Sequence, residues 1–288
     1  MASARSYLFV PATSGRKIEK AGASAADALI VDLEDAVAVS EKAAARDALV
    51  RWLADSPPKP TWVRINAVGT DFCLDDLEAV CRPGIVGVVL PKAESGEQIR
   101  LVDWLLAALE RRRGLPARGI ALAGIVETAA GLQRVAEIAA AAPRLRWLMY
   151  GAVDLAADLG IDIADDAGAS SHARFTIACA SRAAGLDAPV DTAYTEIENL
   201  DGLRRTATYA RALGYVAKAC IHPAQLDVVN AAFTPSDAEM AWAQRVINAF
   251  EAAERLGHGA VSLNGQMLDY PVVERARRLL ARQPPAPR

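Results

Sequence analysis

"GIALAGIVETAAGL", Gly119 to Leu132, runs through eight small or apolar residues and then meets Glu127. A continuous apolar run, unlike an alternating one, suits a parallel strand covered on both faces. A buried carboxylate is costly unless it is paired or binds a metal, so Glu127 is either tied up or employed. Runs of the same kind recur outward from this one: "SYLFV" (6–10), "ALIVDL" (28–33), "TWVRI" (61–65), "GIVGVVL" (84–90), "LRWLMY" (145–150), the weaker "APVDT" (188–192) and "YVAKACI" (215–221). With Gly119–Val126 they make eight. Helical patterns lie between them at 15–25, 40–54, 72–80, 95–113, 129–141, 168–183, 197–213 and 223–232. Eight strand–helix alternations predict an α/β fold, a TIM-type (β/α)8 barrel. A doubly wound sheet is the alternative, weakened by the absence of a G-x-G-x-x-G turn and of a Walker A loop.

The alternation stops near residue 233, which sets the expected division: a barrel over 1–232 and an extension over 233–288. "SDAEMAWAQRVINAFEAAERLG" (236–257) predicts an amphipathic helix stopped by Gly257. A Gly-bearing loop and a final helix follow. The extension cannot be a ninth barrel unit, so it is expected to form a lid or a contact to a neighbouring subunit. The tail "ARQPPAPR" is expected to be disordered.

The 288 residues carry 35 acidic and 32 basic side chains, with no block of like charge, which argues against nucleic acid or an anionic membrane as the main partner. No apolar run reaches the roughly 18 residues of a membrane span. The apolar stretch in "MASARSYLFVPA" is too short for a signal sequence. Cys73, Cys81, Cys179 and Cys220 show no C-x-x-C pairing and read as reduced, mostly buried thiols of a cytoplasmic protein.

Polar residues gather where the strands end. The second run ends in Asp32, Glu34 and Asp35, the third in Arg64-Ile65-Asn66, and the fourth in Lys92 and Glu94. The fifth ends at Glu127, the sixth between Tyr150 and Asp154, the seventh near Asp191, the eighth at His222. In a barrel these are C-terminal strand ends, which converge on the mouth where barrel active sites lie. One strand-end acid is usually a helix cap or a loop salt bridge; seven successive strands ending in polar residues point to a site. Glu127 and Asp154 are hard oxygen ligands of the kind that hold Mg2+ together with water and substrate oxygens. Arg64 and Lys92 suit a carboxylate or a developing enolate oxygen. Plainer readings stand beside these. Asp32 and Glu34 point the same way, and one of them can simply satisfy a neighbouring base. His222 reads as a hydrogen-bonded rim residue. Asp269 can cap the last helix, with Pro271 just inside it.

"YLFVPA", "DALIVDLEDAV", "VRIN", "VLPKAES", "GIVETAAGL", "YGAVDLAADLG", "ACIHPAQLDVVNAAFTPS" and "NGQMLDYPVVERARRLL" together resemble the citrate lyase β-subunit-like family, in the HpcH/HpaI aldolase superfamily. That family includes malyl-CoA and citramalyl-CoA lyases, and the likeness runs from about residue 5 to 282. It implies a barrel with a C-terminal lid, in homotrimers or hexamers. It also implies reversible Mg2+-dependent cleavage of a 3-hydroxyacyl thioester into a 2-keto acid and acetyl-CoA, with Mn2+ as an alternative ion. Carried over, Glu127 and Asp154 look like the metal ligands and Arg64 like the substrate clamp. Asp269 looks like the acid/base, supplied across a subunit interface. Glu34 and Asp35 look like groups beside the metal. Arg16 and Lys17 fall where the family binds coenzyme A, although the usual loop differs from "ATSGRK" here; Lys92 fits that region or the rim. The family leaves two other functions open: malyl-CoA thioesterase activity, and the β-chain role in a citrate lyase complex, with the thioester on an acyl carrier protein.

Overall fold

A computed structural model of the chain describes residues 4–55, 57–162 and 168–281. Two compact units emerge, one over Ala4–Asn230 and a C-terminal one from Ala231 onward.

The first unit carries β1 (Ser6–Pro11), β2 (Ala28–Asp32), β3 (Thr61–Arg64) and β4 (Gly87–Leu90), then β5 (Ala121–Val126), β6 (Leu145–Tyr150), β7 (Val190–Asp191) and β8 (Ala217–Cys220). They form a closed barrel in sequence order, every neighbouring pair parallel, with β8 returning to β1 by placing Ala219 opposite Tyr7. Closure decides for the barrel against the doubly wound sheet.

One row of each strand fills the interior: Tyr7, Ile30, Trp62, Val89, Ile125, Trp147, Met149, Val190, Ala217 and Ala219 belong to a single buried cluster. Trp147 packs against Tyr7 and Trp62, with ring centroids 5.2 and 4.8 Å away. Gly87 makes room for this, because a Cβ there would lie 2.5 Å from the Trp62 ring. The barrel is therefore a packed core open to chemistry only at its ends.

The helices are α1 (Gly15–Gly22), α2 (Lys42–Ala54), α3 (Cys73–Val80), α4 (Gly96–Arg113), α5 (Ala129–Gln133) and α6 (Val135–Ala139), then α7 (Ala152–Leu159), α8 (Gly168–Ala183), α9 (Leu200–Ala212) and α10 (Leu226–Phe233). Two differ from the sequence reading. The helix expected over 129–141 is divided between α5 and α6, because Arg134 leaves helical geometry at φ −110°, ψ 14°. An unforeseen helix, α7, follows β6 and ends on Gly160 in the left-handed region (φ 64°).

The C-terminal unit contains α11 (Asp237–Glu254), the hairpin strands β9 (Val261–Leu263) and β10 (Gln266–Leu268), and α12 (Tyr270–Leu280). Ser236 and Glu239 form a reciprocal capping box at the start of α11. The expected loop is a two-residue hairpin: Asn264 and Gly265 both take positive φ (52° and 79°), as a primed turn requires. Val246, Phe250, Leu268 and Val273 form its core. The tail expected to be disordered lies, over 282–288, outside the described residues.

No helix among the described residues is long and apolar enough to cross a membrane. All four cysteines are free; Cys179 is exposed and the other three are buried.

Candidate metal and substrate site

The site follows from strand alternation. Side chains two apart on a strand share a face, so the inward row that contains Ile30, Trp62 and Ile125 continues to Asp32, Arg64 and Glu127 at the mouth.

Asp32 and Arg64 are register partners across β2 and β3. Arg64 donates through Nε and Nη2 to the two Asp32 oxygens, both at 2.7 Å. The same carboxylate accepts the backbone N–H groups of Glu34 (2.9 Å) and Ala36 (3.1 Å), so it also shapes the turn that carries Glu34. Burial would raise the Asp32 pKa, but Arg64 and the two backbone donors hold it below the ordinary carboxylate value. The Arg64 guanidinium lies 5.1 Å from the Phe9 ring centroid. Its Nη1 stands 3.0 Å from Glu34 Oε2, close enough for an ion pair but without hydrogen-bond alignment, so that buried oxygen has no hydrogen-bond donor. The turn is braced from below: Lys42 Nζ donates to the Leu33 and Glu34 carbonyls (2.9 and 3.0 Å), and Asn66 Nδ2 donates to Leu33 O (3.0 Å).

Lys92 adopts a left-handed backbone (φ 47°) just beyond β4. Its N–H donates to Glu127 Oε1 at 2.8 Å. Its ammonium pairs with Glu34 Oε1 and lies 3.8 Å from Asp35 Oδ1 and 3.9 Å from Asp154 Oδ1. Burial raises the Glu34 pKa, and Asp35 adds to this against the pull of Arg64 and Lys92.

Glu127 is 3% exposed. Its pKa is pushed up to about 8, first by burial and then by repulsion from Asp154, while the Lys92 N–H and Arg64 act in the other direction. Gly151, the N-cap of α7, lies against it: a Cβ there would come 2.5 Å from Glu127 Cβ and 2.6 Å from Oε2. Asp154 sits in the first turn of α7. That helix is tied down near both ends, by Ala152 N–H to Thr192 Oγ1 (3.0 Å) and by Asp158 Oδ2 accepting from Ala129 N–H (2.7 Å).

Five carboxylates, Asp32, Glu34, Asp35, Glu127 and Asp154, therefore meet two cations, Arg64 and Lys92. No group of three or more His, Cys, Asp or Glu among the described residues is arranged to hold a metal unaided. Glu127 Oε2 and both Asp154 oxygens receive no hydrogen bond from described residues. Two neighbouring carboxyl groups with three oxygens left without donors fit an ion that draws most of its shell from water and substrate, as Mg2+ does.

Of the residues singled out from sequence, Arg64, Glu34, Asp35, Lys92, Glu127 and Asp154 come together. Lys92 lies among the carboxylates; Arg16 and Lys17 are exposed in the first turn of α1. Asp191 does not join the mouth: it lies on the outer face of β7 and pairs with Arg174 (2.7 Å) and Lys218 (2.5 Å). His222 caps a single helical turn, with Nδ1 accepting from Ala224 N–H at 3.2 Å. Asp269, in the C-terminal unit, caps α12 by accepting from Val272 N–H at 3.3 Å, with Pro271 in the first turn. Two residues escaped the sequence reading: Asp32 as the partner of Arg64, which only the strand register shows, and Gly151, whose role depends on where Glu127 lies.

A model of the HpcH/HpaI aldolase/citrate lyase family matches residues 5–223. A citrate lyase subunit beta-like protein of Mycobacterium tuberculosis is 42% identical over 283 residues, covering 96% of this chain and 94% of that protein. A (3S)-malyl-CoA thioesterase of Cereibacter sphaeroides is 37% identical over 280 residues, covering 96% and 94%. The crystal structure of the CitE protein of Mycobacterium tuberculosis with magnesium, acetoacetate and coenzyme A is similar at TM-score 0.79 and 39% identity, over 98% of this chain and 99% of that one.

Proposed function

The chain belongs to the HpcH/HpaI aldolase/citrate lyase family, and on that premise we propose that it is a Mg2+-dependent carbon–carbon lyase. Its substrate would be a short 3-hydroxyacyl-CoA such as citramalyl-CoA or malyl-CoA, cleaved to a 2-keto acid and acetyl-CoA, or formed from them. The observation that carries this reading is the pair Glu127 and Asp154, close enough for Asp154 to raise the Glu127 pKa and without hydrogen-bond donors at Glu127 Oε2 and both Asp154 oxygens, beside the Arg64 guanidinium. A magnesium–coenzyme A complex in a relative of the same fold supports it.

A divalent cation held by Glu127 and Asp154 would supply Lewis-acid polarisation of the keto-acid oxygens. Arg64 is locked by Asp32 along one edge and keeps N–H groups on Nη1 and Nη2 for an oxygen that gains charge as the carbon–carbon bond breaks. Because Asp32, Glu34 and Phe9 fix its position, little reorganisation is needed at the moment of reaction. Asp269 of a neighbouring subunit is the proposed acid that protonates the acetyl carbon, and the base that removes that proton in condensation. That role requires a homotrimer or hexamer. Arg16 and Lys17 are the proposed contacts to the coenzyme A phosphates.

The thioesterase among the relatives favours one alternative: the same site, with water attacking the thioester. Separating the products of malyl-CoA turnover tests both. Glyoxylate with acetyl-CoA supports the lyase; free malate with CoA rejects it for the thioesterase.

A further inference from the structure

A second polar chamber lies beside the C-terminal ends of β7 and β8, under α8. Val190, Ala217 and Ala219 point into the barrel interior, so the alternating residues Asp191 and Lys218 face outward, towards α8. There they meet Arg174. Asp191 Oδ1 accepts from Arg174 Nε at 2.7 Å and Oδ2 from Lys218 Nζ at 2.5 Å. Asp191 and Lys218 are fully buried, and Arg174 is 3% exposed. Arg174 Nη1 donates to Ser170 Oγ at 2.6 Å, and its guanidinium lies 5.1 Å from the Tyr150 ring centroid. Among described residues its Nη2 has no hydrogen-bond acceptor, and Lys218 has Asp191 as its one acceptor.

These groups border a cavity of about 80 Å³ lined by Val153, Ser170, Arg174, Thr192, Thr195 and Lys218, among others. Two buried cations share one buried carboxylate, leaving a net charge of +1 among these groups. Glu196, at the same cavity, is exposed and engaged by Asn199 Nδ2 at 2.9 Å. An uncompensated buried charge is costly; a single negative charge would cancel this one, and two would overshoot it. The free guanidinium edge matches the two oxygens of a carboxylate, and Ser170 and Thr192 add hydroxyls. The cavity has room for a few heavy atoms.

We propose that this chamber, between β7, β8 and α8, binds a small monocarboxylate of acetate size, held by Arg174 and Lys218. The chamber's Asp191 and Lys218 lie on the outward faces of β7 and β8, not on the inward row that ends in Glu127, and the proposal does not rest on the reaction proposed at the mouth. Its occupant would touch Val153, next to Asp154 on α7.

The test is a titration of the full-length protein in EDTA, which removes carboxylate binding through a metal at the mouth. Sodium acetate is added and the melting temperature followed, with sodium sulfate at matched ionic strength as the dianion. Thr195→Trp fills the chamber from its exposed side without touching the charges. Arg174→Gln removes the excess charge and leaves Asp191 paired with Lys218. The proposal expects a saturable rise with acetate, no saturable rise with sulfate, and a half-saturating concentration raised about tenfold or more in both variants. If Arg174→Gln does not fold, Thr195→Trp decides alone. No saturable response to acetate, an equal response in Thr195→Trp, or an equal response to sulfate would overturn it.

Discussion

Asp32 and Arg64 face each other as register partners on β2 and β3 and are joined by two 2.7 Å hydrogen bonds at the barrel mouth. The pair is almost wholly buried, so removing one member strands the other's charge. Asp32→Ala is expected to cost about 3 kcal/mol of unfolding free energy, read from denaturant midpoints. Arg64→Lys keeps the charge but loses the fork. It should lower kcat on a 3-hydroxyacyl-CoA about a hundredfold while leaving Mg2+ affinity within a few-fold, because the role proposed for Arg64 is to stabilise developing charge and not to hold the metal.

Gly151 offers a test of the proposed metal site that changes neither Glu127 nor Asp154. An added Cβ would overlap Glu127 at 2.5 Å from its Cβ, and the carboxylate must move. Gly151→Ala should weaken Mg2+ binding about tenfold or more, measured by calorimetry, with the barrel still folded by circular dichroism.

Lys92 gives the contrasting case. Its backbone N–H holds Glu127 and its ammonium serves Glu34. Lys92→Gly keeps the first and deletes the second, and glycine accepts the positive φ. Mg2+ affinity should be no weaker than in the wild type, while turnover falls.

The pKa of Glu127, near 8, sets a pH dependence. Without metal its carboxyl is protonated at neutral pH and must lose the proton to ligate. Mg2+ binding at neutral pH should release a proton, and affinity should rise with pH and level off once Glu127 is ionised without metal. The stability consequence has a definite sign: a folded pKa raised above the ordinary 4.5 favours the fold fully below that value, and the benefit is lost as pH rises through 8. Metal-free Glu127→Gln should therefore gain stability relative to wild type between pH 6 and 9, and lose the Mg2+-linked proton release.

Much of this was legible in the sequence, for identifiable reasons. Apolar runs such as Ala121–Val126 mark buried parallel strands, and the polar residue after each run marks the mouth, so Arg64, Lys92, Glu127 and Asp154 could be named early. The same rule failed for Asp191, because a two-residue strand gives no parity to read and its inward neighbour is Val190. Asp32 was visible, but its partnership with Arg64 depends on register. The Asn264-Gly265 dipeptide itself carries the signal for the primed turn that the structure shows. Asp269 remains the clearest case of two compatible readings: it caps α12 through one oxygen, which a proton-transfer role does not forbid.

The most direct measurement is turnover of citramalyl-CoA by the purified protein with Mg2+ or EDTA, following pyruvate, acetyl-CoA and free CoA, beside Glu127→Gln and Asp269→Asn. The account predicts equal amounts of pyruvate and acetyl-CoA with Mg2+, none with EDTA, and a loss of at least about a hundredfold in each variant. Pyruvate release that persists in EDTA or in Glu127→Gln would contradict it.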